Sequence, residues 1–129
     1  MRVLVVDDDP GIRESLRSLL EDEGYEVSVA ADGEEGLRFV LDNTEPLAVI
    51  LDLLLPNLTG EDMLAAALEY LDGKARAPVA FIIITANPQL LTPHLRTLMR
   101  RYNIPVEYKP FEIGSLLASV AHAHDEIAS

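Results

Sequence analysis

The chain has 129 residues, near the commonest size for one domain, and its 49% hydrophobic and 25% charged residues allow a core of its own and exclude a disordered composition. The absence of cysteine excludes disulfides, thiolate metal sites and cysteine nucleophiles, and fits an intracellular, cytoplasmic setting. With 22 acidic against 10 basic residues the net charge is −12, which disfavours direct nucleic-acid binding and reads mostly as a solvated surface.

Five short β-branched or leucine-rich runs alternate with amphipathic helical patterns, the arrangement of a parallel sheet covered on both faces. The first run, Val3 to Val6, stops at Asp7 and is too short for a signal peptide. Pro10 suits the first turn of a helix; Ile12, Leu16, Leu19 and Leu20 recur at helical spacing, and Gly24 closes the element. The second run, Glu26 to Ala30, alternates Val27 and Val29 with polar residues, as an edge strand does. Asp32-Gly33 then turns the chain into a helix bearing Leu37, Val40 and Leu41.

The third run, Leu47 to Leu51, is wholly apolar and ends at Asp52, so it reads as a central strand with a carboxylate at its carboxyl end. Pro56 and Gly60 precede a third apolar stripe of Met63, Leu64, Ala67, Leu68 and Leu71, with Gly73 expected to terminate it. The fourth run, Val79 to Ile84, ends at Thr85 and leads to a helix marked by Leu91, Leu95, Leu98 and Met99, a stripe that reads as core. Ile104 to Tyr108 forms the fifth strand, followed by Lys109-Pro110 and a last helix with Ile113, Leu116, Leu117 and Val120. No apolar stretch is long enough to span a bilayer, no linker or repeat interrupts the series, and residues 1–129 are expected to form a single soluble domain without an output domain.

In open parallel sheets ligands sit beyond the carboxyl ends of the strands. Strand one delivers Asp7, Asp8 and Asp9 there, strand three Asp52, strand four Thr85 and strand five Lys109, and right-handed crossovers bring these ends to one rim. Several carboxylates so close together persist only if a cation or proton neutralises them, and an oxygen-only cluster suits Mg²⁺, with Asp8 and Asp52 as direct ligands. Asp52 is then a candidate nucleophile in phosphoryl transfer; the metal shields its charge, while Lys109 and the Thr85 hydroxyl face the phosphoryl oxygens.

Val5-Val6-Asp7-Asp8, Leu51-Asp52 with Pro56 and Gly60, Thr85-Ala86, and Lys109-Pro110-Phe111 together resemble the receiver domain of two-component response regulators, over essentially the whole chain. No single motif is specific, but their order and separations are. The resemblance implies a flavodoxin-like α/β fold, five parallel strands in the order 2-1-3-4-5 with five helices. It further implies Mg²⁺ on Asp7 and Asp8, with the Leu54 backbone carbonyl as an additional ligand, phosphorylation of Asp52, supporting roles for Thr85 and Lys109, and a cis bond before Pro110. A histidine kinase or phosphotransfer protein is the implied donor and a downstream protein the implied target. The domain would act as a switch and signal carrier rather than as a metabolic enzyme.

Two positions depart from the family pattern. Val106 stands where an aromatic switch residue is usual, and the available aromatic, Tyr108, sits directly beside Lys109 and does not take over that role by a simple slide, since adjacent strand residues face opposite ways; the segment Arg100 to Pro105 also lacks the usual Gly-Ala. Simpler readings accompany these assignments. Asp7-Asp8-Asp9 alone resembles an acidic helix start. Thr85 alone is an ordinary turn residue, and Lys109 a neutraliser of nearby acids. His94, His122 and His124 read as surface residues without catalytic partners. Arg96, Arg100 and Arg101 fit a solvated helix face, or a homodimer contact with the acidic face of a second copy. Two other function classes compete. A haloacid-dehalogenase-like phosphatase would use Asp7 and Asp9, but Gly11 replaces the Thr or Val its motif needs. A receiver used only for protein binding is suggested by Val106; phosphate-analogue binding with Mg²⁺ discriminates it.

Overall fold

A computed structural model describes residues 1–72 and 78–128. Five parallel strands, β1 (Arg2–Val6), β2 (Glu26–Ala30), β3 (Leu47–Asp52), β4 (Val79–Thr85) and β5 (Val106–Tyr108), form one sheet in the order β2-β1-β3-β4-β5. Between them run α1 (Pro10–Asp22), α2 (Gly33–Asp42), α3 (Gly60–Leu71), α4 (Pro93–Tyr102) and α5 (Ile113–Ala128). This is the expected fold. Glu26 to Ala30 does lie at an edge, and β3, buried along its whole length, lies at the centre. Strand β5 is shorter than expected: Ile104 is buried and Pro105 accepts the Ile83 amide at 2.9 Å, but regular pairing begins only at Val106.

The alternation of strand side chains divides the interior into two layers. Leu4, Val6, Val49, Leu51 and Ile83 meet Val40, Met63, Leu64, Ala67 and Leu95 of α2, α3 and α4. Val3, Val5, Ala48, Ile50, Ile82 and Ile84 meet Leu16, Leu20, Leu116, Val120 and Ala123 of α1 and α5. Each fully buried leucine or isoleucine contributes roughly 1.5–3 kcal/mol, so the two layers are the main source of stability. Leu91 and Leu95 are core residues, as expected, whereas Ile113 is exposed.

Local signals set the helix ends. Asp9, Asp32, Thr59 and Thr92 are N-caps whose side-chain oxygens accept backbone N–H groups of the first turn. Gly24, at φ 91°, follows α1 in the left-handed conformation that glycine adopts without strain. Gly73, expected to stop the third helix, lies outside the described residues; α3 ends at Leu71, with Asp72 as its C-cap. Among the described residues no helix is long and apolar enough to cross a membrane.

His124 corrects one expectation: it is buried, not at the surface. Its ring stacks on Tyr25 with centroids 5.0 Å apart, and its nitrogens lie 3.1 and 3.0 Å from the carbonyl oxygens of Val120 and Arg2. Leu116, Val120 and His124 are spaced by four residues, so helical periodicity does put this histidine on the inward face. His94 and His122 are exposed and contact Glu61 and Glu126.

Candidate functional site

Register brings the acids together. Strand β1 pairs with β3 up to Val6 and Leu51, so the next residues, Asp7 and Asp52, emerge side by side at the carboxyl edge. Asp7 is fully buried and Asp52 is 4% exposed, while Asp8 is open to solvent. One carboxylate oxygen from each of Asp7, Asp8 and Asp52 lies within 4.8 Å of the others. Ligands on opposite sides of a Mg²⁺ ion are about 4 Å apart, so small side-chain movements suffice to share one cation. The donor set is all oxygen and carries an excess of negative charge, which fits a hard divalent ion.

Lys109 supplies the nearest positive charge. Its Nζ donates to Asp7 Oδ2 at 2.9 Å and to Asp52 Oδ2 at 3.0 Å. Its backbone N–H donates to the Thr85 carbonyl at 2.9 Å, which ties the end of β5 to that of β4; the following peptide, Lys109–Pro110, is cis. Burial alone would lower the pKa of the ammonium, but hydrogen bonds and charge from the two carboxylates outweigh burial and raise it. For Asp52 the balance differs. Burial is the largest influence and, with the charge of Asp7, raises its pKa despite the Lys109 and Leu54 hydrogen bonds. Three carboxylates thus face one ammonium, and the cluster keeps an excess of negative charge.

Asp7 is also held by the main chain. Its Oδ1 accepts the Asp9 amide at 2.9 Å, and its carbonyl accepts Arg13 Nη1 at 2.8 Å. Arg13 was missed in the sequence because it belongs to no motif, although a cation one turn into the first helix can reach back to the strand end. Asp9 acts elsewhere, its Oδ1 capping α1 by accepting the Gly11 and Ile12 amides. The acidic run thus divides, with the helix-start reading true of Asp9 and the clustered geometry reserved for Asp7 and Asp8.

Leu54 presents its backbone to the site. Its amide donates to Asp52 Oδ1 at 3.3 Å, while its side chain is 70% exposed. Thr85 is buried at the end of β4, yet its hydroxyl is engaged elsewhere, accepting the Asn87 amide at 3.0 Å and donating to the Asn87 carbonyl at 3.1 Å. Its hydrogen bonds therefore serve the turn after β4 and do not reach the carboxylates. Val106 packs half-buried against the core layer that includes Leu95, whereas Tyr108, two residues on and so on the same side of β5, is 46% exposed at the end of the strand.

Comparison with known proteins accords with this geometry. The family description "response regulator receiver domain" matches residues 3–121. The transcriptional regulatory protein DltR of Streptococcus agalactiae is 38% identical over 123 residues, covering 93% of this chain and 50% of DltR, so the chain spans about half the length of that relative. A CheY-like receiver domain protein from Methanospirillum hungatei superposes with TM-score 0.81 at 27% identity, over 98% of this chain and 95% of that one. The response regulator TrrA from Thermotoga maritima, solved in complex with Mg²⁺-BeF, gives TM-score 0.71 at 30% identity, over 95% and 97%. Sheet order, acidic rim and sequence likeness agree: this chain belongs to the response regulator receiver domain family of two-component signalling.

Proposed function

We propose that the domain is a Mg²⁺-dependent phosphoacceptor that takes a phosphoryl group on Asp52 from a histidine kinase or phosphotransfer protein. The observation that carries this reading is the convergence of Asp7, Asp8 and Asp52, within 4.8 Å, three carboxylates that the single ammonium of Lys109 does not balance. Asp7, Asp8 and Asp52 would hold the cation, and the likeness to receivers adds the Leu54 carbonyl; the Mg²⁺-BeF complex of TrrA supports the choice of ion. When bound, Mg²⁺ supplies charge neutralisation to the carboxylates and the phosphoryl oxygens.

The chain's own residues do the rest. An Asp52 oxygen forms the new bond to phosphorus as the donor's bond breaks, and Lys109 Nζ, already in reach of Asp52, stabilises the transferring oxygens. Asp7, fixed by Arg13 and the Asp9 amide, holds Lys109 from the other side. The product adds roughly 1.5–2 negative charges at the rim. Those oxygens then compete with Asn87 for the Thr85 hydroxyl, which biases the turn after β4 between two arrangements and carries the signal to a downstream protein. Hydrolysis of the acyl phosphate resets the switch. Cytoplasmic placement follows from this reading, since its donors act there.

Val106 favours one second reading, a receiver that binds proteins without phosphorylation. A single experiment separates the two. Incubation with acetyl phosphate and Mg²⁺ is expected to add one phosphoryl mass to the intact wild-type chain and none to Asp52→Asn. No adduct on wild type would leave only the binding-module reading.

A further inference from the structure

The loop between β3 and α3, residues 53–59, follows directly on Asp52 and reaches its carboxylate through the Leu54 amide, and it is held from outside the acidic cluster. Leu58 N–H donates to the Pro56 carbonyl at 2.8 Å, a three-residue turn with Asn57 at its centre and φ at 68°. This positive-φ form of the γ-turn is the rarer and more strained of the two, and such strain persists only where neighbouring groups maintain it. Asn57 Nδ2 donates to Asp32 Oδ2 at 2.9 Å, a hydrogen bond across 25 positions, while Asp32 Oδ1 accepts the Glu35 amide at 2.8 Å and caps α2.

Glycines close the same contact. A Cβ on Gly33 would strike the Leu58 carbonyl oxygen, and one on Gly60 would strike the Asp52 carbonyl oxygen and Leu53 Cα. The loop is thus pressed between the start of α2 and the backbone of Asp52, and its Leu54 amide reaches the Asp52 carboxylate. The Glu35 amide above all, helped by Asn57, the Glu34 amide and Arg38, keeps the Asp32 pKa below its ordinary value against the opposing effect of desolvation, so the tie is charge-assisted at neutral pH.

We propose that Asp32 is a positioning residue for the phosphoacceptor site: through Asn57 it holds the strained turn, and with it the loop that sets the Asp52 carboxylate for cation binding. This deepens the proposed function and rests on it.

The test is calorimetric titration of Mg²⁺ into wild type, Asp8→Asn, Asp32→Ser, Asn57→Gly and the Asp32→Ser/Asn57→Gly double variant, with a thermal melt of each. Serine caps a helix as well as aspartate but is too short to reach Asn57, and glycine accepts the positive φ. Asp32→Ser and Asn57→Gly are each expected to weaken Mg²⁺ binding about tenfold with little change in melting temperature. The double variant should bind no more weakly than the weaker single one, because both changes cut one tie. Wild-type affinity in both single variants, with Asp8→Asn impaired, overturns the positioning role and leaves the phosphoacceptor reading standing. Lower melting temperatures at unchanged affinity, or losses that multiply in the double variant, also overturn it. Failure of wild type itself to take up Mg²⁺ sinks the phosphoacceptor reading and this inference together.

Discussion

The two ends of the sheet treat buried polar groups differently. Near the amino ends of the strands, His124 sits between the carbonyls of Val120 and Arg2 and against the Tyr25 ring, while the Arg2 guanidinium meets Asn43 at 3.1 Å, Glu45 at 3.3 Å and the Phe39 face. These groups have partners inside the fold, and the result ties β1 to α5 and to the segment before β3. At the carboxyl ends, Asp7 and Asp52 share Lys109 while Asp8 stands beside them without it, three carboxylates to one ammonium, and burial together with the charge of Asp7 raises the Asp52 pKa. Matched polar burial closes a fold; a charge excess held in place by packing is stability given up at a site that awaits a ligand.

The contrast can be broken most forcefully at Lys109. Lys109→Met keeps the stem and removes the ammonium, which leaves two buried carboxylates without a counter-charge. Urea unfolding in Mg²⁺-free buffer is expected to show a loss of about 3 kcal/mol, at the lower end for a broken buried pair because the pocket opens to water beside Asp8. An unchanged midpoint would mean the carboxylates do not depend on the lysine.

At the opposite end, His124→Ala removes the Tyr25 stacking and the carbonyl contacts, with an expected cost of about 2 kcal/mol. Mass spectrometry after acetyl phosphate treatment should show the same adduct as wild type. Reduced labelling of the folded variant would blur the division between a structural and a chemical end.

The smallest effect has the opposite sign. The folded state raises the Asp52 pKa, so it binds that proton more tightly than the unfolded chain does. Stability therefore falls as pH rises from the ordinary carboxylate value towards the raised one, and the full penalty applies above it. Asp52→Asn escapes the penalty and is expected to be more stable than wild type at pH 7 without Mg²⁺, by on the order of 1 kcal/mol. Melts at descending pH should show the two curves converging below about pH 4. A less stable Asn variant at pH 7 would show that Lys109 compensates Asp52 in full.

Much of this was legible in the residues. Apolar runs ending in Asp7, Asp52, Thr85 and Lys109 mark strands and their carboxyl ends, and crossover handedness then places those ends on one rim. Local pattern fails where geometry depends on distant partners. The turn of the Thr85 hydroxyl to Asn87 is a rotamer choice within a loop, and the link from Asp32 to Asn57 joins segments 25 positions apart. His124 was readable from the four-residue spacing with Leu116 and Val120, but its polarity pointed outward and its carbonyl partner, Arg2, lies at the other end of the chain. The cis bond before Pro110 followed from family likeness, since sequence statistics favour trans.

The claim that the carboxyl-end acids form a cation site with an excess of negative charge is tested most directly by thermal unfolding with and without Mg²⁺ at matched ionic strength. Wild type should gain stability as Mg²⁺ is added, by about 3 kcal/mol at a hundredfold excess over its dissociation constant, and Asp8→Asn should lose most of that gain. A wild-type melting temperature indifferent to Mg²⁺, or an equal rise in Asp8→Asn, would contradict the account.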